Sequence, residues 1–150
     1  MSSVAPIPPQ ADVRDALYRY CEALDAGRRR EWLDCFTTDG VWEVRRRDGS
    51  TFMRFRGMEE LAGYFDELMA TVPSGTQKHL TLNARVEIAG ETAVASSYFV
   101  TVVGRDGAPV LGAAGEYVDR LVRGGDGVWR FEERLVFSGP PDLIPDAGPA

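Results

Sequence analysis

The second half of the chain consists of long β-type segments joined by short turns, and this pattern limits the possible folds more than any other feature. Apolar residues alternate over residues 77–89, 92–103, 108–123 and 128–137. Short turns that contain glycine separate the four segments. Because short turns join antiparallel neighbours, this half predicts a strongly twisted antiparallel sheet.

The first half of the chain has helical periodicity, interrupted by a β-hairpin pattern around Asp48 and Gly49. The predicted elements are helices over residues 11–26, 28–36 and 58–71, a turn at residues 38–40, and hairpin strands at residues 41–47 and 51–56. Helices followed by a sheet indicate an α+β fold. A curved antiparallel sheet with about three helices on its concave side leaves a cavity open at one end, where we expect the function to lie.

The chain has 150 residues, which suits one domain. Residues 1–10 and 138–150 are rich in proline, glycine and small residues, so we interpret them as tails around a domain at residues 11–137. The N-terminus lacks a basic region followed by an apolar run, and no segment approaches the roughly 18 apolar residues of a membrane helix. We therefore expect a cytoplasmic protein whose two cysteines are buried thiols.

The composition argues against several partners and cofactors. A net charge of −6 and a pI near 4.8 argue against nucleic acid and against an anionic membrane surface. One histidine and two cysteines are too few for a zinc site built from these residue types. No glycine-rich nucleotide-binding loop occurs. We expect no metal and no cofactor, and the predicted pocket favours a small-molecule partner.

Two side chains are candidates for chemistry. Asp25 follows Cys21 by four residues and Leu17 by eight, so it shares the apolar face of the first helix unless the chain bends it to water at Gly27. His79 alternates with apolar residues, which places it on the polar face of its strand. A bulge or bend near the start of that strand would instead rotate it inward. Both alternatives remain open for each residue.

Four segments occur in an informative order: YCEALDAGRRREWLDCFTTDGVWEV, FRGMEELAGYF, KHLTLNARVEIAGETAVASSYFV and GEYVDRLVRGGDGVWRFEER. Together they resemble the SnoaL-like branch of the nuclear transport factor 2-like superfamily over about residues 11–137. The resemblance implies a cone-shaped α+β fold around a deep pocket, in agreement with the element order. It is specific for the fold and not for a reaction, because this cone hosts many activities.

Within that superfamily the chain is similar to scytalone dehydratase, hexachlorocyclohexane dehydrochlorinase and the bile-acid dehydratase, which pair a histidine of the sheet with an aspartate that ends the first helix. The matching residues are His79 in KHLTLN and Asp25 in ALDAG. The resemblance implies that His79 acts as the base and that Asp25 orients its ring and stabilises the imidazolium. Tyr20 matches a tyrosine of the bile-acid dehydratase and would donate a proton or a hydrogen bond. Scytalone dehydratase uses a second histidine that this chain lacks, which argues against a scytalone-type substrate.

The same resemblance predicts residues that contact the ligand, because they lie on elements around the family's cavity. Trp42 in DGVWEV matches a pocket tryptophan of the dehydrochlorinase. The predicted substrate-binding residues are Trp42, Phe65, Met69, Asn83, Tyr98, Tyr117 and Arg134.

The implied function is a cofactor-independent lyase or isomerase, of the dehydratase, cyclase or isomerase type. It would abstract a proton from a small apolar or cyclic metabolite. The alternative is a non-catalytic ligand-binding protein or the small subunit of a ring-hydroxylating oxygenase. We also expect a homodimer formed through the sheet, because the strands carry more apolar residues than one layer of helices covers and relatives dimerise in this way.

Overall fold

The computed structural model describes residue 6 and residues 9–138. Most of the two predicted tails, residues 1–5, 7–8 and 139–150, lies outside the described residues. The elements are, in order, α1 Pro9–Asp25, α2 Arg29–Asp34, β1 Phe36–Arg45, β2 Thr51–Arg56, α3 Gly57–Thr71, β3 Gln77–Ala89, β4 Thr92–Arg105, β5 Ala108–Arg123 and β6 Trp129–Ser138. The folded region therefore extends slightly beyond residues 11–137 at both ends.

All strands belong to one curved sheet with the order β2-β1-β6-β5-β4-β3. The pairs β1–β2, β3–β4, β4–β5 and β5–β6 are antiparallel, whereas β1 and β6 are parallel. The hairpin of the first half thus joins the sheet of the second half through a parallel pair that turn patterns do not reveal. The α+β class, with a largely antiparallel curved sheet and three helices, is confirmed.

The chain between α2 and the hairpin differs from the sequence-based expectation. β1 begins at Phe36, so the turn predicted at residues 38–40 is wrong, and the helix predicted over residues 28–36 ends earlier. From Phe36 to Val41, β1 advances by five residues while its partner β6 advances by only two. The extra residues form an irregularity within β1. A Cβ at Gly40 would lie 2.9 Å from the Phe36 Cβ, so glycine permits this close fold.

The helices cover the concave face of the sheet, with α1 along β3 and α3 against β1 and β2. Aromatic rings fill most of the space between the two layers, in stacked, tilted and edge-to-face pairs with centroid distances from 4.4 to 6.4 Å. The buried rings are Tyr20, Trp32, Phe36, Trp42, Phe65, Phe99, Tyr117, Trp129 and Phe131. The interior of the cone is therefore largely occupied by the protein's own side chains.

Each of the four antiparallel pairs of the sheet contains one irregularity of the β-bulge type. The extra residue is Phe52 on β2, a residue of β3 opposite Ser97, a residue of β5 opposite Thr101, and Glu132 on β6. A bulge bends its strand and increases the local twist. The bulges therefore explain how the sheet curves around the helices.

Two glycine substitutions test this packing. Gly40→Ala is expected to lower the free energy of unfolding by about 1–3 kcal/mol, because its Cβ would press against Phe36. Gly63→Ala in α3 has open space around its Cβ and is expected to raise that free energy by about 0.5–1 kcal/mol, because alanine favours the helix. Urea unfolding measures both, and equal midpoints for the two variants would contradict the argument.

Candidate functional site

The end of α1 and the start of β3 meet at a carboxylate–imidazole contact. Asp25 Oδ1 lies 2.6 Å from His79 Nδ1, and Asp25 Oδ2 accepts a 2.9 Å hydrogen bond from the backbone N–H of His79. The side chains are 6 % and 15 % exposed, respectively. Because an ionised carboxylate only accepts hydrogen bonds, the Nδ1 atom carries the proton, and Nε2 of the neutral ring can accept one.

The termination of α1 directs Asp25 toward the sheet. The N–H of Gly27 donates to the carbonyl of Leu24 and the N–H of Arg28 to that of Ala23, which is a Schellman motif with Gly27 at a φ of 68°. Asp25 therefore remains in the last helical turn and is 8 % exposed. The alternative in which Gly27 bends it to water does not occur.

His79 faces the helices, although regular alternation predicts the opposite. Before the bulge in β3, His79 and Thr81 are partly buried against the helices, while Leu80 and Leu82 are 44 % and 43 % exposed on the outer face. The bulge follows Leu82, in the middle of the strand and not near its start. Inward rotation by a bulge is thus the alternative that the structure adopts.

A second polar contact lies one helical turn deeper along α1. Cys21 Sγ and Thr81 Oγ1 are 3.3 Å apart. Burial raises the pKa of the Cys21 thiol, so it stays neutral and is a poor nucleophile. Cys35 is buried as well, and both cysteines are free.

A narrow cleft opens beside the Asp25–His79 contact. Its volume is about 10 Å³, roughly the space of one water molecule. Among the described residues, His79 Nε2 has no hydrogen-bond partner. The cleft is lined by Leu24, Asp25, Leu68, Met69, Val72, Pro73, Ser74, Gln77 and His79. A polar pair is therefore set in a mostly apolar enclosure formed by the end of α3 and the loop that follows it.

A buried ion pair lies in the interior of the cone. Arg134 donates through Nε and Nη2 to the two carboxylate oxygens of Asp119, each at 2.8 Å, and both side chains are fully buried. The guanidinium carbon lies 4.2, 3.9 and 4.3 Å from the ring centroids of Tyr20, Tyr117 and Phe131. Burial opposes the charge of Arg134, but Asp119 outweighs this effect and raises the pKa of the guanidinium. Within the described chain, Arg134 Nη1 has no hydrogen-bond partner.

Tyr20 belongs to the same interior cluster. Trp42 Nε1 donates a 2.9 Å hydrogen bond to the Tyr20 hydroxyl oxygen. Burial raises the pKa of Tyr20 to about 12, so its hydroxyl keeps its proton at neutral pH. Tyr20 therefore has a proton to donate, next to the unpartnered donor of Arg134.

The predicted ligand-contacting residues separate into three groups. Met69 lines the cleft beside His79. Trp42, Phe65, Tyr117 and Arg134 belong to the packed core, with exposures of 6 % or less. Other aromatic rings of the core pack against them, so the protein's own side chains take the place of the expected open pocket.

The third group lies outside the cone, and the prediction that it lines the interior is wrong. Tyr98 is 52 % exposed on the outer face, where it pairs with Leu82 of β3. Asn83 is exposed and forms part of the β3 bulge. Both residues were predicted from the elements on which they lie and not from strand alternation. Tyr98 follows the regular alternation of β4, in which its neighbours Ser97 and Phe99 are buried, so its own side chain faces outward.

Sequence reasoning missed Asp119, the partner of Arg134. A signal was present, since Asp119 alternates with Tyr117 and Leu121 and so shares the apolar face of β5. A carboxylate in that position must be paired or neutral. The reasoning that identified Asp25 on the apolar face of a helix would also have identified Asp119 on the apolar face of a strand.

Among residues 6 and 9–138, no group of three or more His, Cys, Asp or Glu side chains is arranged to hold a metal ion. None of the helices in the described chain is long and apolar enough to cross a membrane.

The family profile of the SnoaL-like domain matches residues 7–135. The chain therefore belongs to the SnoaL-like domain family, and its fold is the nuclear transport factor 2-like, cystatin-like fold. No curated protein matches the sequence.

Several solved structures share this fold. An Asp-to-Asn variant of Rv3472 from Mycobacterium tuberculosis, a protein of unknown function, has a TM-score of 0.75 at 26 % identity over 94 % of this chain and 80 % of that chain. A proposed beta subunit of an aromatic-ring-hydroxylating dioxygenase from Novosphingobium aromaticivorans has a TM-score of 0.75 at 24 % identity, over 87 % and 89 %. A Catenulispora acidiphila protein in complex with S-DNPA has a TM-score of 0.72 at 25 % identity, over 86 % and 92 %.

The buried ion pair leads to a stability prediction. Asp119→Ala leaves the Arg134 charge buried without a partner and is expected to lower the free energy of unfolding by about 3–5 kcal/mol. The double variant Asp119→Leu/Arg134→Met removes both charges and is expected to be more stable than the single variant. Urea unfolding tests the pair, and a single variant as stable as the native protein would refute it.

Proposed function

We propose that this protein is a cofactor-independent lyase or isomerase that acts by general acid–base catalysis through Asp25 and His79. The observation that carries the proposal is the 2.6 Å contact between Asp25 Oδ1 and His79 Nδ1 at the wall of a cleft. A carboxylate in this position holds the imidazole in one tautomer, with Nε2 as the basic atom. The substrate would be a small apolar or cyclic metabolite with an acidic C–H bond.

In the proposed reaction, His79 Nε2 removes a proton from a carbon next to an activating group such as a carbonyl. The Asp25 carboxylate then stabilises the imidazolium through Nδ1. Its second oxygen is already held by the backbone N–H of His79, so the carboxylate keeps its orientation during proton transfer. Elimination of a neighbouring hydroxyl, isomerisation or ring closure would follow from the same carbanion or enolate.

Tyr20 and Arg134 would support this reaction from the interior side. The Tyr20 hydroxyl stays protonated because burial raises its pKa to about 12, and Arg134 Nη1 is a buried donor without a partner in the described chain. Donors of this kind stabilise negative charge that develops on a substrate oxygen. Entry of a substrate requires Leu68 and Met69 of α3 to move, because the cleft has the volume of about one water molecule.

The comparisons support a small-molecule ligand without identifying it. The Catenulispora acidiphila relative was solved with S-DNPA bound, so a chain of this fold at 25 % identity takes a small organic ligand. The mostly apolar walls of the cleft favour a ligand of apolar character.

A deuterium-exchange experiment tests the catalytic proposal. The protein is incubated in deuterated water with a panel of small cyclic β-hydroxy ketones, and mass spectrometry follows deuterium uptake at the carbon next to the carbonyl. A positioned base exchanges this proton even where the complete reaction does not proceed. His79→Ala is expected to slow the exchange by about 10²–10⁴-fold, and Asp25→Asn is expected to be severe as well.

The matched control is Glu22→Gln, which removes an exposed carboxylate of α1 three residues before Asp25. It should exchange at the native rate. Equal rates for the native protein and His79→Ala, on a ketone that the native protein exchanges, would reject the proposed base.

A non-catalytic subunit or ligand-binding protein is the second candidate. The filled interior favours the non-catalytic subunit in particular, because a cleft of about 10 Å³ leaves no room for a metabolite in this conformation. The proposed dioxygenase beta subunit from Novosphingobium aromaticivorans shares the fold. For this candidate, deuterium uptake with the native protein would equal uptake without protein for every ketone of the panel.

We also propose that the outer face of the sheet pairs with a second copy of the chain. This face carries exposed apolar side chains, which a monomer rarely collects on one surface. They are Leu80, Leu82, Val94, Tyr98 and Leu111. Contact with the same face of a second copy would bury these side chains. It would also explain why β3 directs leucines outward.

Sedimentation measures this association. The native chain of 16.5 kDa is expected to sediment as a dimer at micromolar concentration. Leu82→Glu places a charge in the proposed interface and is expected to give monomers. Tyr18→Glu, which replaces a 44 % exposed tyrosine of α1 on the other side of the protein, should leave the dimer intact. A native chain that stays monomeric would contradict the proposed pairing.

A further inference from the structure

The first half of β3 has the orientation that its hydrophobic pattern disfavours. Leu80 and Leu82 are nearly half exposed, whereas the polar side chains of His79 and Thr81 face the helices. A regular strand that kept Val86 on the core would bury both leucines and turn His79 outward. Conflicts between local pattern and final structure are expected mainly at functional or strained sites.

The reversal occurs at a single bulge. Leu82 pairs with Tyr98 and Arg85 pairs with Ser96, so two residues of β3, Asn83 and Ala84, oppose one residue of β4. Beyond the bulge, the even-numbered residues of β3 face the core, whereas before it the odd-numbered ones do. One extra residue therefore decides which face His79 occupies.

Asn83 has the backbone conformation that makes this bulge possible. Its φ is +54°, which glycine and asparagine accept far more readily than other residues. A β-branched residue resists this conformation and favours the regular extended strand. The regular strand would also gain the burial of Leu80 and Leu82, so the two registers compete.

We propose that Asn83 is a positioning residue, whose left-handed backbone conformation holds the β3 bulge and thereby turns His79 toward Asp25. Asn83 itself is exposed on the outer face and touches no part of the cleft. Its importance for catalysis rests on the function proposed above. Its effect on the orientation of His79 does not, since that is a property of the substrate-free protein.

The bulge geometry supplies matched variants. Asn83→Gly accepts a positive φ and keeps the bulge. Deletion of Asn83 leaves Leu82 opposite Tyr98 and Arg85 opposite Ser96, so His79 stays inward without any bulge. Asn83→Val keeps the residue count but disfavours the positive φ, which promotes the regular register with His79 outward.

Nuclear magnetic resonance reads the orientation directly, because His79 is the only histidine. In the native protein, the proton on Nδ1 lies in a short hydrogen bond to Asp25, so it is expected at low field and protected from exchange with water. The Asn83→Gly and deletion variants should retain this resonance. Asn83→Val should lose it, while circular dichroism still reports a folded sheet.

Arg85→Val is the control for adding valine to this strand, because Arg85 is exposed and lies in the regular part of β3. It should retain the resonance. If Asn83→Val does not fold, Asn83→Ala takes its place and is expected to lose at least half of the resonance intensity. Full intensity in the folded Val variant, or in the Ala variant where it replaces Val, would overturn the proposal.

The outcome is independent of the catalytic test. Loss of the resonance in Asn83→Val, together with no deuterium exchange by the native protein, would support the positioning role and remove the proposed function. Deuterium exchange by the native protein, combined with an unchanged resonance in Asn83→Val, would support the proposed function and remove the positioning role.

Discussion

The arrangement around the candidate site depends on the carboxylate of Asp25. It accepts a hydrogen bond from the backbone N–H of His79 and contacts ring Nδ1 of the same residue, so it joins α1 to β3 at two points. The Asp25 carbonyl accepts a further hydrogen bond, from the N–H of Gly75 in the loop after α3. Because three segments meet at one buried charged residue, the geometry of the site and the packing at this end of the cone are coupled.

A second electrostatic constraint governs the rest of the interior. Arg134 is fully buried, and its charge is balanced by Asp119 and by the faces of surrounding aromatic rings. The aromatic rings that surround the Arg134 guanidinium also fill the cone. The carboxylate–imidazole contact lies apart from this filled interior, at the narrow cleft at the end of α1, where His79 Nε2 lies beside apolar walls.

Much of this structure was predictable from local patterns. The bounds of β3 and β5 agree with the predicted segments, and helical spacing indicated the inner face of α1 as one of two open alternatives for Asp25. The pairing of Asp25 with His79 was implied by a family resemblance, because alternation by itself directs His79 outward. The chain from residue 38 to residue 40 was misread as a turn, since its conformation depends on a parallel pairing with β6 that lies far away in sequence.

Sequence alone was sufficient for the α+β class, the division into a helical and a β-rich half, and the inward face of α1. These properties follow from periodicities of about 3.6 and 2 residues within short windows. Tertiary structure decided which way His79 faces and what occupies the cone. One extra residue at the bulge reverses the faces of β3, and Asp119 reaches Arg134 only because β5 and β6 pair in a particular register.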